Sequence, residues 1–181
     1  MYIVFHTLPE CAIREFMTIE LSDIVKNALL PSASGKTVYF TLGSMLRGDD
    51  GVGPLIAERL SNCGKDVVVI NASEVPESFL DHVVRKRPSK TVFIDAADFN
   101  GEAGEVRVLD PNTLHEPFRS THRFPIKILA QIIEEDTGSD VCFIGIQIRH
   151  VSFGSPVDRR VEESADSIVE FVRENANGTT Q

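Results

Sequence analysis

The chain has 181 residues and is 42% hydrophobic, which suits one domain with an ordinary core. Its net charge of −9 argues against nucleic-acid binding, because a nucleic-acid binder needs a basic patch to displace counterions. Three cysteines without Cys-x-x-Cys spacing argue against a disulfide framework and a cysteine zinc site. No apolar run reaches the length of a membrane span, and we expect a cytoplasmic protein that binds no membrane.

Strand and helix patterns alternate along most of the chain. A short amphipathic helix at Leu21–Leu30 precedes the linker Pro31–Lys36. We then predict strands at Thr37–Leu42, Asp66–Ile70, Thr91–Ile94, Gly104–Leu109 and Val141–Ile148, and helices at Val52–Leu60, Glu77–Lys86, Pro125–Glu135 and Val157–Asn175. This alternation predicts a single α/β domain at 36–175, with a mostly parallel central sheet and helices on both faces. Residues 1–35 form an extension without an assigned role, and 176–181 a disordered tail.

Polar residues stand where three of these elements meet solvent. Asp49 and Asp50 follow the first strand, Asp95 directly follows Ile94, and His122 lies in the loop before the helix at Pro125. Ligands of such folds bind at the carboxyl ends of the strands, so Asp50, Asp95 and His122 are predicted to converge in one cleft. Two carboxylates and an imidazole suit zinc, nickel or iron(II), with coordination positions left open for water or substrate.

Structural roles compete with each of these assignments. One of Asp49 and Asp50 is expected to cap the helix at Val52, although one cap position cannot explain two aspartates. Asp95 also suits a loop brace, and His122 an exposed loop position. His150 follows a strand end and is the competing histidine for the cleft.

Several segments resemble the nickel–iron hydrogenase maturation endopeptidases. GSMLRGDDGVG is similar to that family's opening motif, G-N-x-L-x-G-D-[DE]-G-x-G, with Ser44 in place of the asparagine. Three later segments agree with the family in order and spacing: FIDAADFNGEAGEVRVLDP, STHRFPIKIL and the region from VCFIGIQ to the last helix. Ile148 replaces the proline that usually follows Gly-Ile-Gln. The resemblance covers Lys36 to Arg173 and is closest to the formate-hydrogenlyase-type branch.

The resemblance implies an aspartyl-type peptidase family whose members cut a C-terminal extension from a hydrogenase large-subunit precursor after nickel insertion. Asp50, Asp95 and His122 match the positions that contact nickel and serve catalysis in that family. By this resemblance we expect the nickel to be carried by the substrate, other divalent metals to substitute for it in vitro, and no further cofactor. Asp49 is expected to hold the loop or orient Asp50, and water is the favoured nucleophile. A monomer that meets its precursor transiently is expected.

Two other functions use the same three residues. A general metal-dependent peptidase would cut ordinary peptides, and a nickel-delivery or chaperone-like protein would bind the precursor without cutting it. A nucleotide-binding domain is disfavoured, because GSMLRGDDGVG lacks the G-x-G-x-x-G spacing and its aspartates would repel a pyrophosphate.

Overall fold

A computed structural model describes residues 19–110 and 126–176. The strands are β1 Thr37–Leu42, β2 Val67–Ser73, β3 Lys90–Ala97, β4 Val106–Leu109 and β5 Asp140–Gln147; the helices are α1 Asp23–Leu29, α2 Val52–Arg59, α3 Leu80–Lys86, α4 Ile126–Thr137 and α5 Arg159–Ala176. Two 3₁₀ turns, Gly48–Gly51 and Pro76–Phe79, precede α2 and α3. None of the helices in these two ranges is long and apolar enough to cross a membrane.

The strands form one sheet in the order β2-β1-β3-β5-β4. The first four are parallel, and β4 runs antiparallel to β5 at the edge. The predicted single-domain α/β fold with a mostly parallel sheet is therefore confirmed. Because every parallel strand points the same way, the carboxyl ends of β1 and β3 lie at one edge of the sheet, where such folds bind ligands.

Helices cover both faces of the sheet. The apolar stripes of α1, α2 and α5 pack on one face, where Tyr39 and Ile94 are among the strand residues that they bury. α3 and α4 cover the other face, around a stack of Phe40, Phe93 and Phe143. Burial on both faces is the reason why the central strands read as continuous apolar runs rather than as alternating patterns.

An ion-pair cluster joins α2 to α5 across the first of these faces. The Arg59 guanidinium lies 2.6 Å from a Glu162 carboxylate oxygen and 2.5 Å from an Asp166 carboxylate oxygen. The cluster therefore links the last residue of α2 to the first half of α5.

The part of the extension that the structure describes packs against the sheet. Leu21, Val25 and Leu29 are buried in the core. The Tyr39 hydroxyl on β1 donates to the carbonyl oxygen of Leu29. The Lys90 ammonium on β3 donates to the last carbonyl groups of α1, an arrangement that a helix dipole favours. The domain boundary at residue 36 stays a prediction, but α1 contributes to the same core as the sheet.

We expect Leu29→Ala to lower the free energy of unfolding by about 3 kcal/mol, because it removes a fully buried side chain and leaves a cavity. Ile24→Ala on the same helix is the matched control, since Ile24 is 71% exposed. The control should change stability by less than about 0.5 kcal/mol in urea unfolding. Equal effects of the two substitutions would show that α1 does not stabilise the domain.

Candidate active site

The two aspartates lie in a turn that folds back onto the end of β1. Gly43 has φ +124°, and a Cβ built there would lie 1.9 Å from the carbonyl oxygen of Asp50. A Cβ at Gly53, in the first turn of α2, would lie 1.9 Å from the carbonyl oxygen of Leu42. Only glycine permits these two close approaches, so the glycines on both sides of the aspartates allow the turn to sit on the strand end.

Asp49 is fully buried and joins this turn to the loop between β5 and α5. Its Oδ2 accepts from the backbone N–H groups of Arg149, at 2.7 Å, and His150, at 2.9 Å. Its Oδ1 accepts from the N–H of Asp158, at 2.6 Å, immediately before α5. The Asp49 N–H in turn donates to the carbonyl oxygen of His150 at 3.1 Å. These bonds agree with the loop-holding role expected of Asp49.

The hydrogen bonds to Asp49 also set its charge state. Burial alone would raise the pKa of this carboxyl group, but the N–H groups of Asp158, His150 and Arg149 outweigh burial and lower the pKa below its usual value. The Asp49 carboxylate is therefore ionised at neutral pH, and its buried charge is compensated mostly by backbone donors.

Asp50 is nearly buried, and its position depends on the backbone of Ser44. The Ser44 N–H lies 3.0 Å from Asp50 Oδ2 and 3.1 Å from the Asp50 carbonyl oxygen. Because a backbone group makes both contacts, they do not require the asparagine that Ser44 replaces.

The expected helix cap is wrong for both aspartates. Asp49 and Asp50 belong to the 3₁₀ turn, Gly51 occupies the position before α2, and no side chain in the described residues caps that helix. The physical reason is that the 3₁₀ turn adds residues between the strand and the helix. Within this turn the Asp49 side chain binds the β5–α5 loop, which lies about a hundred residues later in the chain, instead of the start of α2.

Asp95 lies inside β3 and not after it, which corrects the predicted strand end at Ile94. The strand continues to Ala97 because β5 runs alongside, with Asp95 paired to Gly145. The pairing between β3 and β1 ends at Ile94, and Asp95 is the next residue of β3. It therefore still lies at the carboxyl edge of the neighbouring strand.

Asp50 and Asp95 come together at that edge. Burial raises the pKa of Asp95 well above its usual range, and the nearby Asp50 carboxylate raises it further, against a hydrogen bond from the Ala96 N–H. Two neighbouring carboxylates resist simultaneous ionisation, and a cation or a proton relieves their repulsion.

The third predicted site residue, His122, lies outside the described residues. Within 19–110 and 126–176, no group of three histidine, cysteine or acidic residues is arranged to hold a metal ion. The competing His150 directs its ring Nδ1 to Asp49 Oδ2 at 3.3 Å, which engages it with the structural aspartate. The three-residue site of Asp50, Asp95 and His122 stays a prediction.

Gln147 is a structural residue of this edge, and the sequence analysis assigned it no role although it lies in the Gly-Ile-Gln segment. Its buried side-chain oxygen accepts from the N–H groups of Phe99, at 2.8 Å, and Gly101, at 3.1 Å. Its side-chain nitrogen donates to Asp98 and to the Ile148 carbonyl oxygen. Gln147 thereby holds the turn that follows β3.

Comparison with known proteins identifies the family. The family model described as hydrogenase maturation protease matches residues 54–175, more than half of the chain. The chain belongs to the hydrogenase maturation protease family. Hydrogenase 3 maturation protease of Escherichia coli K12 is 33% identical over 133 residues, which cover 72% of this chain and 85% of that protein.

Solved structures of hydrogenase maturation proteases agree with this assignment. The crystal structure of a [NiFe] hydrogenase maturation protease HycI from Thermococcus kodakarensis KOD1 is 32% identical, with a TM-score of 0.76, over 86% of this chain and 99% of that one. The solution structure of the endopeptidase HycI from E. coli is 30% identical, with a TM-score of 0.69, over 77% and 90% of the two chains. The resemblance drawn from the motifs is confirmed, and the protein is a peptidase of this family.

Ile148, which stands where the family usually has the proline of Gly-Ile-Gln-Pro, makes a backbone hydrogen bond that proline could not make. The N–H of Ile148 donates to the carbonyl oxygen of Ala97 at 3.1 Å. Proline has no N–H and would lose this bond between the ends of β5 and β3.

We expect Asp49→Asn to lower the free energy of unfolding by about 2–4 kcal/mol at neutral pH, because an amide nitrogen would face backbone donors. The folded-state pKa of Asp49 lies below the unfolded value of about 3.9. Its contribution is therefore complete well above that unfolded value and is lost as the pH falls through the lower, folded-state pKa.

Urea unfolding at several pH values measures this difference. Asp81→Asn on the surface of α3 is the control and should match the unsubstituted protein throughout. A wild-type advantage over Asp49→Asn that grows on acidification would contradict the role given to the Asp49 carboxylate.

Proposed function

We propose that this hydrogenase maturation protease removes the C-terminal extension of a nickel-loaded hydrogenase large-subunit precursor. The observation that carries the proposal is the pair of neighbouring carboxylates, Asp50 and Asp95, at the carboxyl edge of the sheet. Family membership supplies the reaction class, and the pair supplies a binding place for a dication next to the reacting bond.

Nickel enters this reaction as part of the substrate. Carboxylate and imidazole groups suit nickel, so Asp50 and Asp95, with His122 as the predicted third contact, would complete the shell of an ion already held by the precursor. Bound nickel would polarise the scissile carbonyl or a water molecule. Nickel bound there would favour the ionised form of both carboxylates, so cleavage is expected to await nickel insertion.

Water is the proposed nucleophile, because the described cysteines are unsuited to that role. Burial raises the pKa of Cys63 despite the nearby Arg173, and burial raises the pKa of Cys142 to about 11. Both thiols are therefore protonated at neutral pH. Cys142 also pairs with Val92, three residues before Asp95 on β3, and so lies away from the carboxyl edge. We assign one of the two site carboxylates as the general base that accepts a proton from the attacking water.

Intact mass spectrometry of a large-subunit precursor from the same organism tests the reaction. We expect the wild-type protein to release a C-terminal peptide from the nickel-loaded precursor and none from the nickel-free precursor. Asp50→Asn should lower the cleavage rate at least ~100-fold, because it removes one charge from the pair. The control Asp81→Asn, which changes an exposed aspartate on α3, should cleave at the wild-type rate.

Metal content separates this proposal from a general metallopeptidase. A protease that meets its metal on the substrate should purify without a stoichiometric metal ion, and added nickel or another divalent ion should bind only weakly. One equivalent of zinc retained through chelation, together with cleavage of generic peptides, would favour the general metallopeptidase. Binding of the loaded precursor without any mass change would favour a nickel-delivery protein. A cytoplasmic location and a monomeric state remain part of the proposal.

A further inference from the structure

Three large apolar side chains are exposed beside the candidate active site. Met45 and Leu46, in the turn after β1, are 54% and 61% exposed, and Phe153, in the loop after β5, is 81% exposed. We call these three residues the apolar rim. Large apolar side chains grouped at one place on a surface mark an interaction site more often than scattered single ones do.

The backbone under the apolar rim is held in place. The Gly154 N–H donates to the carbonyl oxygen of Leu46 at 2.8 Å, which joins the two loops that carry the rim. The Arg47 N–H donates to the Ser44 carbonyl oxygen, and Asp49 binds the start of the second loop through His150. The rim therefore presents its side chains from a fixed backbone, which lowers the entropic cost of binding a partner.

The rim also borders the approach to Asp50. Ser44, the residue before Met45, donates its N–H to Asp50. A Cβ built on Gly51, the residue after Asp50, would lie 3.3 Å from the Met45 Cα. Asp50 itself is only 3% exposed. A polypeptide that brings its metal and scissile bond to Asp50 would therefore come within reach of the residues of this turn.

We propose that the apolar rim binds an apolar segment of the precursor chain next to the scissile bond. This inference rests on the proposed function, and it assigns substrate affinity to residues that carry no catalytic group. The continuity of the rim with the Asp50 turn identifies the occupant, because a second copy of this chain seated there would obstruct the site that the precursor has to reach.

Steady-state cleavage of the nickel-loaded precursor, followed by intact mass over a range of precursor concentrations, tests the rim. The variant Leu46→Ser/Phe153→Ser removes exposed side chains and keeps the Gly154–Leu46 backbone bond. We expect its KM to rise about tenfold or more with kcat within about twofold of wild type, because only binding area is lost. The matched control is Ile24→Ser/Ile128→Ser, which removes two exposed apolar side chains on α1 and α4 and should keep the wild-type KM.

The outcomes separate the rim from the proposed function. A KM within twofold of wild type for the rim variant would overturn the rim while leaving cleavage established. If the wild type cleaves nothing, calorimetric titration of the loaded precursor decides: affinity lost in the rim variant and kept in the control supports the rim, and equal affinity overturns it. A wild-type dimer that the rim substitutions dissociate, in analytical ultracentrifugation, would assign the rim to self-association and overturn the proposal.

Discussion

The buried Asp49 carboxylate is the constraint on which the carboxyl edge depends. It lies in the turn after β1, yet its partners are backbone N–H groups about a hundred residues later in the chain. A charge at 0% exposure is costly unless its lone pairs are satisfied, so the turn and the β5–α5 loop are stable only together. The Arg59 ion pairs also join the two helices that follow these segments, α2 and α5.

The surroundings of Asp49 and Asp95 shift the pKa values of these two carboxyl groups in opposite directions. Asp49 gains stability from its donors, and its pKa is lowered, so its charge favours the folded state at neutral pH. Asp95, opposed by Asp50, has a raised pKa: its contribution is favourable below the unfolded pKa and is lost as the pH rises through the folded one. Burial and the Asp50 charge therefore disfavour the ionised form of Asp95, whereas the donors around Asp49 favour the ionised form of that residue.

The surroundings of the pair fit a protease with one dedicated protein substrate. Asp50 is nearly buried, its turn is tied down at both ends, and exposed apolar side chains stand beside it. Under the proposed function, a folded precursor would cover the apolar rim and the acidic pair at once, whereas a small peptide would gain little from the rim. Affinity and chemistry would then belong to nearby residues of one turn, so that the same contact would position the scissile bond.

Local patterns account for much of what the sequence predicted. Apolar runs and helical stripes indicated every strand and helix that the structure describes, because burial on both faces of the sheet imposes those patterns. The alternation of elements indicated a mostly parallel sheet, and strand ends indicated that Asp50 and Asp95 share an edge. The strand end at Ile94 was wrong because the extra length of β3 comes from pairing with β5, a partner about 50 residues away.

Other features depend on contacts between distant parts of the chain, which no local pattern contains. The bonds of Asp49 to the β5–α5 loop, the side-chain hydrogen bonds of Gln147 to Asp98, Phe99 and Gly101, and the core position of Leu29 all join segments far apart in sequence. The sequence by itself determined the fold class, the family and the acidic residues at the strand ends, since each follows from local composition and spacing. Only the tertiary structure decided which backbone donors the Asp49 carboxylate binds and in which direction the pKa values of Asp49 and Asp95 shift, because both depend on the donors and charges that folding brings to a carboxylate.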